Sequence, residues 1–461
     1  MPAEYDLVVI GGGAAGLGAA RAGATAGART LLVSEGEIGG ECTFTGCVPS
    51  KTLIESAARG VAFPAAVAAV RAAVAAIAAT ETAGILAREG IEVVRGRAVF
   101  TSRHEASAAG RLLRPRGFVI ATGSRPAVPA VPGLAEAGYL TNETVFGLGE
   151  LPARLAVLGG GAVGCELAQA FARLGSQVTI VEAASRLLPA ADPAASAVIE
   201  EVFRAGGISV RTAAAAAGVK RGDHGVTLCL ASGEELEADR LLVAAGRRPA
   251  AGPTGLENAG VRVDERGYVV TDRHLATTAA GVYAAGDVTG RMPFTHAAFT
   301  MGRLAARNAL RSRWSPPGSF DTRAIPWVVF TDPEVAQVGL AEPQAAALHA
   351  GARVAYLPMA EADRAVTAGR TEGFVKIIAG RRRILGHTGG GRVLGATIVA
   401  ARAGEMIHEP ALAMRTAMFA GRLAQTVHAY PTWSLAVQQA AAQFIGQFGG
   451  RTARPAETGP R

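Results

Sequence analysis

Two cysteines, Cys42 and Cys47, stand five residues apart in the stretch GGECTFTGCVPSK of a 461-residue chain whose only others are Cys165 and Cys229. Zinc takes about four ligands, and neither remaining cysteine supplies a second close pair, so zinc is disfavoured and no metal site is expected. The start, MPAEYDLVVIGGG, runs into a strand and a glycine turn without the basic opening of a secretory leader. A reducing cytoplasm and free thiols are therefore expected. A close pair in that compartment is metal-binding or redox-active more often than structural, which leaves redox chemistry. In a regular helix, Cα atoms five positions apart lie about 8–9 Å from each other, whereas a disulfide needs about 4.4–6.8 Å. Gly46 and Pro49 are the expected sources of distortion, one by freeing the backbone and one by removing a helical hydrogen bond. The chain has 43 arginines and three lysines, and one of the three, Lys51, closes this motif.

The elements that must position such a pair are legible on both sides of it. The apolar run YDLVVI leads into Gly11-Gly12-Gly13-Ala14-Ala15-Gly16, a helical stretch, a second apolar run and then Glu35, 19 positions past Gly16. Gly11, Gly13 and Gly16 permit a tight turn and close approach of a pyrophosphate to the following helix N-terminus. The pattern recurs as RLAVL, Gly159-Gly160-Gly161-Ala162-Val163-Gly164, a helix and QVTIVE, with Glu182 18 positions past Gly164. Two such units argue for two dinucleotides, Gly159, Gly161 and Gly164 serving the second. GFVIATGSRP (117–126) and LLVAAGRRP (241–249) read as strands closing the two sheets. The strand before Gly286-Asp287 ends in an acid placed to reach a ligand hydroxyl or to cap a helix.

Composition excludes several other classes. With 49% hydrophobic and 18% charged residues, the chain reads as a globular protein of three or four domains. The net charge of +8 comes from scattered arginines, and Arg381-Arg382-Arg383 reads as a solvated turn, so no nucleic-acid partner is expected. Residues 61–80 are mostly alanine, too weakly apolar for a membrane span, and read as a buried or packed helix. A Pro/Ser/Gly-rich linker near 312–325 precedes an α+β module. Residues 449–460 read as a disordered tail.

Taken together, the two glycine turns, GGECTFTGCVPSK, the Gly286-Asp287 strand and VVFTDPEVAQVGL, in this order over about residues 5–445, resemble the flavoprotein disulfide reductases. The resemblance implies an α/β chain of two Rossmann-like dinucleotide-binding domains followed by an α+β dimerisation domain. It places the FAD domain at 1–148 and 274–322, the NAD(P) domain at 149–273, the dimerisation domain at 323–446 and the tail at 447–461. It implies a homodimer whose active site is shared between subunits. It also implies FAD contacts from Gly40, Thr122, Gly123, Gly286, Asp287 and His296, and a nicotinamide contact from Gly246. Cys42 would then be the thiol that meets a small-molecule acceptor, and Cys47 the thiolate beside the flavin. Lys51 would pair with Glu166 near the flavin's reactive edge. Glu182, a carboxylate where adenosine ribose binds, favours NADH over NADPH. Aligned on Gly39-Gly40, Ser34 falls at the family's FAD-ribose acid, but Glu35 is taken as that acid.

The resemblance breaks at VHAYPTWSLAVQQ (427–439). Family members that reduce thiol-type disulfides carry a histidine and a glutamate here as acid–base pair. This chain has Tyr430 and Leu435, and tyrosine's ordinary pKa of about 10 makes it a poor base near neutrality. His428, two residues away, reads as a packing histidine. Mercuric reductases share the tyrosine but add a C-terminal cysteine pair, and no cysteine follows Cys229. The expected reaction is electron transfer from NADH through FAD and Cys42–Cys47 to a disulfide-like or soft electrophilic acceptor. The alternatives are mercuric-ion reduction and quinone reduction directly from the flavin.

Overall fold

Leu7–Ile10 and Gly117–Ile120 are buried along their whole length. Strands covered on both faces must be apolar throughout, as LVVI and GFVI are. They lie in the middle of a five-stranded, all-parallel sheet ordered Val282–Ala284, Gly117–Ile120, Leu7–Ile10, Thr30–Ser34, Ile91–Arg95. Chain order reverses between Leu7–Ile10 and Gly117–Ile120, which makes the strand ends there the natural ligand crevice. The helices Ala14–Thr25 and Thr295–Leu310 cross closely in this unit: a methyl group on Gly302 would sit 1.9 Å from the Ala15 carbonyl oxygen.

The computed structural model describes residues 4–458 apart from 224, 253, 313 and 383, and divides into two compact units. The first unit holds Met1–Pro129, Leu140–Glu150 and Ala245–Asp321, and the second holds Ala130–Tyr139, Leu151–Ala244 and Thr322–Arg461. Residues 245–273, assigned from sequence to the second nucleotide domain, thus pack with the first unit. The reason is visible in Arg247–Pro249, which pairs antiparallel with Ser124–Pro126.

Within the second unit a four-stranded parallel sheet runs Ser209–Arg211, Gln177–Val181, Arg154–Leu158, Arg240–Val243. The same unit contains a six-stranded antiparallel sheet ordered Trp327–Val329, Glu334–Gly339, Arg392–Ala400, Phe374–Gly380, Arg353–Pro358, Arg454–Pro455. All seven residues of Phe374–Gly380 are buried, Lys376 included. A cation there must be paired, and Lys376 Nζ lies 2.9 Å from Asp192 Oδ1 and 2.9 Å from Glu342 Oε2.

Two sequence expectations are corrected. Phe63–Ala78 is a helix, but only Phe63, Ala66 and Val70 in it are buried. These three stand at i, i+3 and i+7, one narrow face by which the helix packs, while most of the rest is exposed. By length and apolarity the stretch Phe63–Arg88 would also suffice to cross a membrane. Part of the expected tail is ordered: Arg454–Pro455 pairs with Arg353–Val354, and Arg454 Nη2 donates to Glu342 at 3.1 Å. An unfilled sheet edge and a buried carboxylate outweigh the polar composition of the segment. Arg383 and residues 459–461 lie outside the described residues.

Candidate active site

The motif GGECTFTGCVPSK folds as two helices, Gly40–Phe44 and Cys47–Ala58, with a break at Thr45-Gly46. Gly46 is required by packing: a Cβ there would lie 2.9 Å from the Glu41 carbonyl oxygen and 3.2 Å from Cys42 Cα. Pro49 does not distort the turn as expected from sequence. It is the third residue of the second helix, where the N–H has no helical partner to lose. Cys47 opens that helix, so the partial positive charge of the N-terminus favours its thiolate.

No disulfide joins Cys42 and Cys47 in this structure, but their sulfurs converge on one hydroxyl. Thr295 Oγ1 lies 3.3 Å from Cys47 Sγ and donates to Cys42 Sγ at 3.3 Å. The Cys42 thiol is pushed well up, first by its hydrogen bond with Cys47 and then by burial, with Thr295 pulling the other way. Thr295 is the first residue of Thr295–Leu310, 248 positions from Cys47, and nothing in the sequence marked it. A hydroxyl that donates to a thiolate favours the charged form. Thr295→Val should therefore raise the pH at which the Cys42 thiol ionises by about one unit. A pH titration of thiolate absorbance or of iodoacetamide reactivity checks this; an unchanged midpoint would remove Thr295 from the site.

The other two cysteines stand apart. Cys165 is fully buried, its Sγ donating to the Gly160 carbonyl at 3.3 Å, and burial pushes its thiol up. Cys229 lies beside Glu235.

The first glycine turn forms as expected. Gly11 has φ +114°, and a Cβ there would lie 2.2 Å from the Ala121 carbonyl oxygen. A Cβ on Gly16 would lie 1.7 Å from the Gly11 carbonyl oxygen, and the equivalent distance at Gly164 is 1.9 Å to Gly159. Gly13 and Gly161 precede Ala14–Thr25 and Ala162–Leu174, and neither helix start is capped by a side chain. Their first N–H groups can therefore meet a phosphate. Gly40 approaches Gly13, so a Cβ on it would lie 2.8 Å from Gly13 Cα. Thr122, beyond the strand Gly117–Ile120 and next to Gly123, holds a buried hydroxyl with no partner among the described residues. Asp287 follows Gly286 and accepts from Ser124 Oγ at 2.6 Å; burial pushes its carboxyl up against the pull of Ser124 and Arg247. His296 stacks on Phe294 with ring centroids 5.8 Å apart.

The two units differ at the acid. The Gly11 N–H donates to Val33 O and the Gly159 N–H to Val181 O, so Ser34 is the equivalent of Glu182. Side chains agree: a Cβ on Gly12 would meet Ser34 Oγ at 2.4 Å, and one on Gly160 would meet Glu182 Cβ at 3.1 Å. The assignment of Glu35 is corrected accordingly, since one residue along a strand reverses the side chain. Glu35 instead pairs with Arg97, which lowers its carboxyl pKa. Glu182 accepts from the N–H groups of Gly160 (2.6 Å) and Ala184 (2.7 Å). Gly246 has φ +116° and open space where a Cβ would stand.

Lys51 is one helical turn past Cys47, on the same face. Glu166 is buried in the second unit, its Oε1 accepting the Phe330 N–H at 2.9 Å. Tyr430 donates to Asp363 Oδ2 at 2.9 Å, which raises the phenol pKa. His428 has acceptors at both nitrogens, Thr426 O at 2.9 Å and Glu409 Oε2 at 2.8 Å. Burial opposes its charge, but these acceptors win and its pKa rises. Both ring nitrogens are thus tied to neighbouring acceptors.

A model of the pyridine nucleotide-disulphide oxidoreductases matches residues 5–302, and a model of their dimerisation domain matches 325–441. The chain belongs to this family. It is 35% identical over 464 residues to a dihydrolipoyl dehydrogenase of Thermus scotoductus, covering 95% of this chain and 96% of that one. It is 36% identical over 466 residues to a mercuric reductase of Streptomyces lividans, covering 95% and 96%. Among solved structures it resembles the Cu(II) complex of the HOCl-induced flavoprotein disulfide reductase RclA from Escherichia coli. That match has a TM-score of 0.86 and 32% identity, over 94% of this chain and 98% of that one. This oxidoreductase is thus an FAD-dependent enzyme with two Rossmann-type units and a dimerisation domain, which supports a homodimer. The uncapped helix at Gly13, the Gly13–Gly40 approach and the orphaned Thr122 hydroxyl fit FAD.

Proposed function

We propose that this enzyme passes electrons from NADH through FAD to the Cys42–Cys47 pair and on to a soft electrophilic acceptor that needs no proton from the protein. The convergence of both sulfurs on Thr295 carries the redox-pair reading. FAD, when bound, supplies a two-electron link between a nicotinamide hydride and a disulfide. Gly11, Gly13, Gly16 and Gly40 would hold its pyrophosphate, and Thr122 and Asp287 would meet its hydroxyls. Cys42, the more N-terminal sulfur, attacks the acceptor, while Cys47 keeps the thiolate that the helix start stabilises. Lys51, one turn beyond, contributes positive charge on the same face, and Tyr430 of the partner subunit would donate a hydrogen bond to the acceptor by exchanging the one it makes to Asp363.

The nature of the acceptor follows from what 428–430 withholds. Both nitrogens of His428 are engaged by acceptors, and the Tyr430 phenol is pushed up by Asp363, so neither offers a free base to an acceptor. Reducing a dialkyl disulfide releases a basic thiolate that benefits from an acid–base partner, whereas an aromatic disulfide releases a thiolate of lower pKa. A thiophilic metal ion also needs no proton. Similarity to a mercuric reductase and to a reductase solved with Cu(II) favours the metal as a second reading. Turnover with an aromatic disulfide, Hg(II), Cu(II), lipoamide and a quinone tests the choice. Efficient lipoamide reduction would overturn it, as would quinone reduction that survives loss of both cysteines as the only activity.

The preference for NADH rests on Glu182. Its carboxylate is fixed by two N–H groups, and Arg186 turns to the carbonyls of Pro189 (2.7 Å) and Ala191 (3.2 Å), where it is engaged with backbone. The carboxylate thus meets the adenosine ribose and repels a 2′-phosphate. Glu182→Ala should lower kcat/KM for NADH about tenfold and raise it for NADPH, since one lost charged hydrogen bond is worth about 1.4 kcal/mol or more. An unchanged ratio of the two kcat/KM values would sink the assignment.

A further inference from the structure

Beside the cysteine turn, the first unit contains a ring of charged and polar groups around Arg247, of which the sequence had singled out only Asp287. Arg247 Nη1 donates to Glu41 Oε1 at 2.8 Å, Nη2 donates to Glu41 Oε2, and Nε donates to Ser124 Oγ at 2.8 Å. Ser124 Oγ donates in turn to Asp287 Oδ2 at 2.6 Å, and Arg247 Nε lies 3.6 Å from that oxygen. Asn142 Nδ2 bonds Glu41 Oε1 and the Thr45 carbonyl, tying the carboxylate to the break between the two cysteine helices. The side chains of Arg247 and Glu41 are each 26% exposed. Burial disfavours the guanidinium charge, but Glu41 outweighs it and the group stays cationic. One guanidinium therefore serves two carboxylates, one of which immediately precedes Cys42. A forked arginine–carboxylate pair fixes orientation as well as charge.

We propose that Arg247 and Glu41 are a positioning pair that anchors the Cys42 turn and sets the charge beside the cysteine pair, and so sets how readily that pair is reduced. The proposal rests on the reading of Cys42 and Cys47 as a redox pair. Reduction adds two electrons, breaks the S–S bond and, with one proton taken up, leaves one thiol and one thiolate. A cation nearby favours the product and a carboxylate opposes it. The two residues should therefore act with opposite sign, which a purely structural anchor would not do.

The test is equilibration of the FAD-loaded enzyme with a dithiothreitol redox buffer, followed by thiol trapping of Cys42 and Cys47. Glu41→Gln should shift the ratio of reduced to oxidised pair about threefold or more toward reduced, and Arg247→Gln about threefold or more toward oxidised. The double variant should return to within about twofold of the wild type, because the two opposite shifts offset one another. Arg247→Lys keeps the charge but loses the fork, so it should lower the thermal midpoint and leave the ratio near wild type. Shifts of the same sign, or no shift, overturn the proposal. If Arg247→Gln does not fold, the near-isosteric Glu41→Gln decides by its sign alone. A wild-type enzyme that takes up only the flavin's two electrons, not four, overturns the redox-pair reading and the proposal with it.

Discussion

Cys47→Ser should lower reduction of a disulfide or metal acceptor by about a thousandfold or more, and should remove the long-wavelength thiolate–flavin absorbance expected on anaerobic reduction with a nicotinamide. Such losses are expected when a member of a covalent relay is deleted. The break at Gly46 puts Cys47 at the first position of its helix, and the Thr295 hydroxyl meets its sulfur at 3.3 Å. The helix start stabilises a thiolate at this residue, and a serine hydroxyl cannot replace it near neutral pH. Cys42→Ser should have the complementary effect: the absorbance persists while acceptor reduction is lost. Anaerobic titration of the two variants separates the roles. If the serine variant at 47 keeps the band, the thiolate is misassigned. Loss of both cysteines should spare any direct transfer to quinones, which makes residual quinone activity a measure of the thiol-independent route.

Lys376→Met should destabilise the second unit by roughly 3–5 kcal/mol, the usual effect of stranding a buried charge. Lys376 is 5% exposed and lies within 3.0 Å of both Asp192 oxygens and 2.9 Å of Glu342 Oε2. Asp192 also caps the helix Pro193–Ala205 through the Ala194 N–H, so the loss reaches the nucleotide-binding sheet. Methionine fills the volume but leaves Asp192 without a cation. Urea denaturation at neutral pH measures the effect. Its pH dependence has a definite sign. Glu342 has its carboxyl lowered because Arg454 and Lys376 outweigh burial. Its contribution is therefore present above the ordinary carboxylate pKa and is lost as pH falls through its folded-state value. Removing Lys376 raises that folded value, so the gap between variant and wild type should narrow in acid. A gap that stays constant with pH would mean that lost packing, not charge, is responsible.

Features built from neighbouring residues were open to reading in the sequence. Both glycine turns, the strands that flank them and the acid at Glu182 depend on spacing along one β-turn-α unit, and spacing is what a sequence displays. Ser34 and Glu35 show the limit of that legibility. Counting from the glycines gave either, and only the bond from Gly11 to Val33 decides the register. Thr295 and Arg247 were hidden for a different reason. Each reaches the cysteine turn from more than 200 positions away (248 to Cys47, 206 to Glu41), and a lone threonine or arginine carries no local pattern. Pro49 misled because a proline's effect depends on which turn of the helix holds it. Phe63–Ala78 packs by one narrow face only, an extent its sequence could not display because alanine suits both a covered face and an exposed one.

The strand Arg454–Pro455 has a consequence for where this protein can be cut. The family's dimerisation match ends at residue 441, which makes the last twenty residues look dispensable. Yet this strand covers the outer edge of Arg353–Pro358, and Arg454 supplies the second cation to Glu342. A truncation at 446 would bare an unpaired strand beside a half-neutralised carboxylate. Exposed edges recruit strands from other copies. The shortened chain should precipitate or form mixed oligomers during purification, and an affinity tag is better placed ahead of Leu7 than after Pro455.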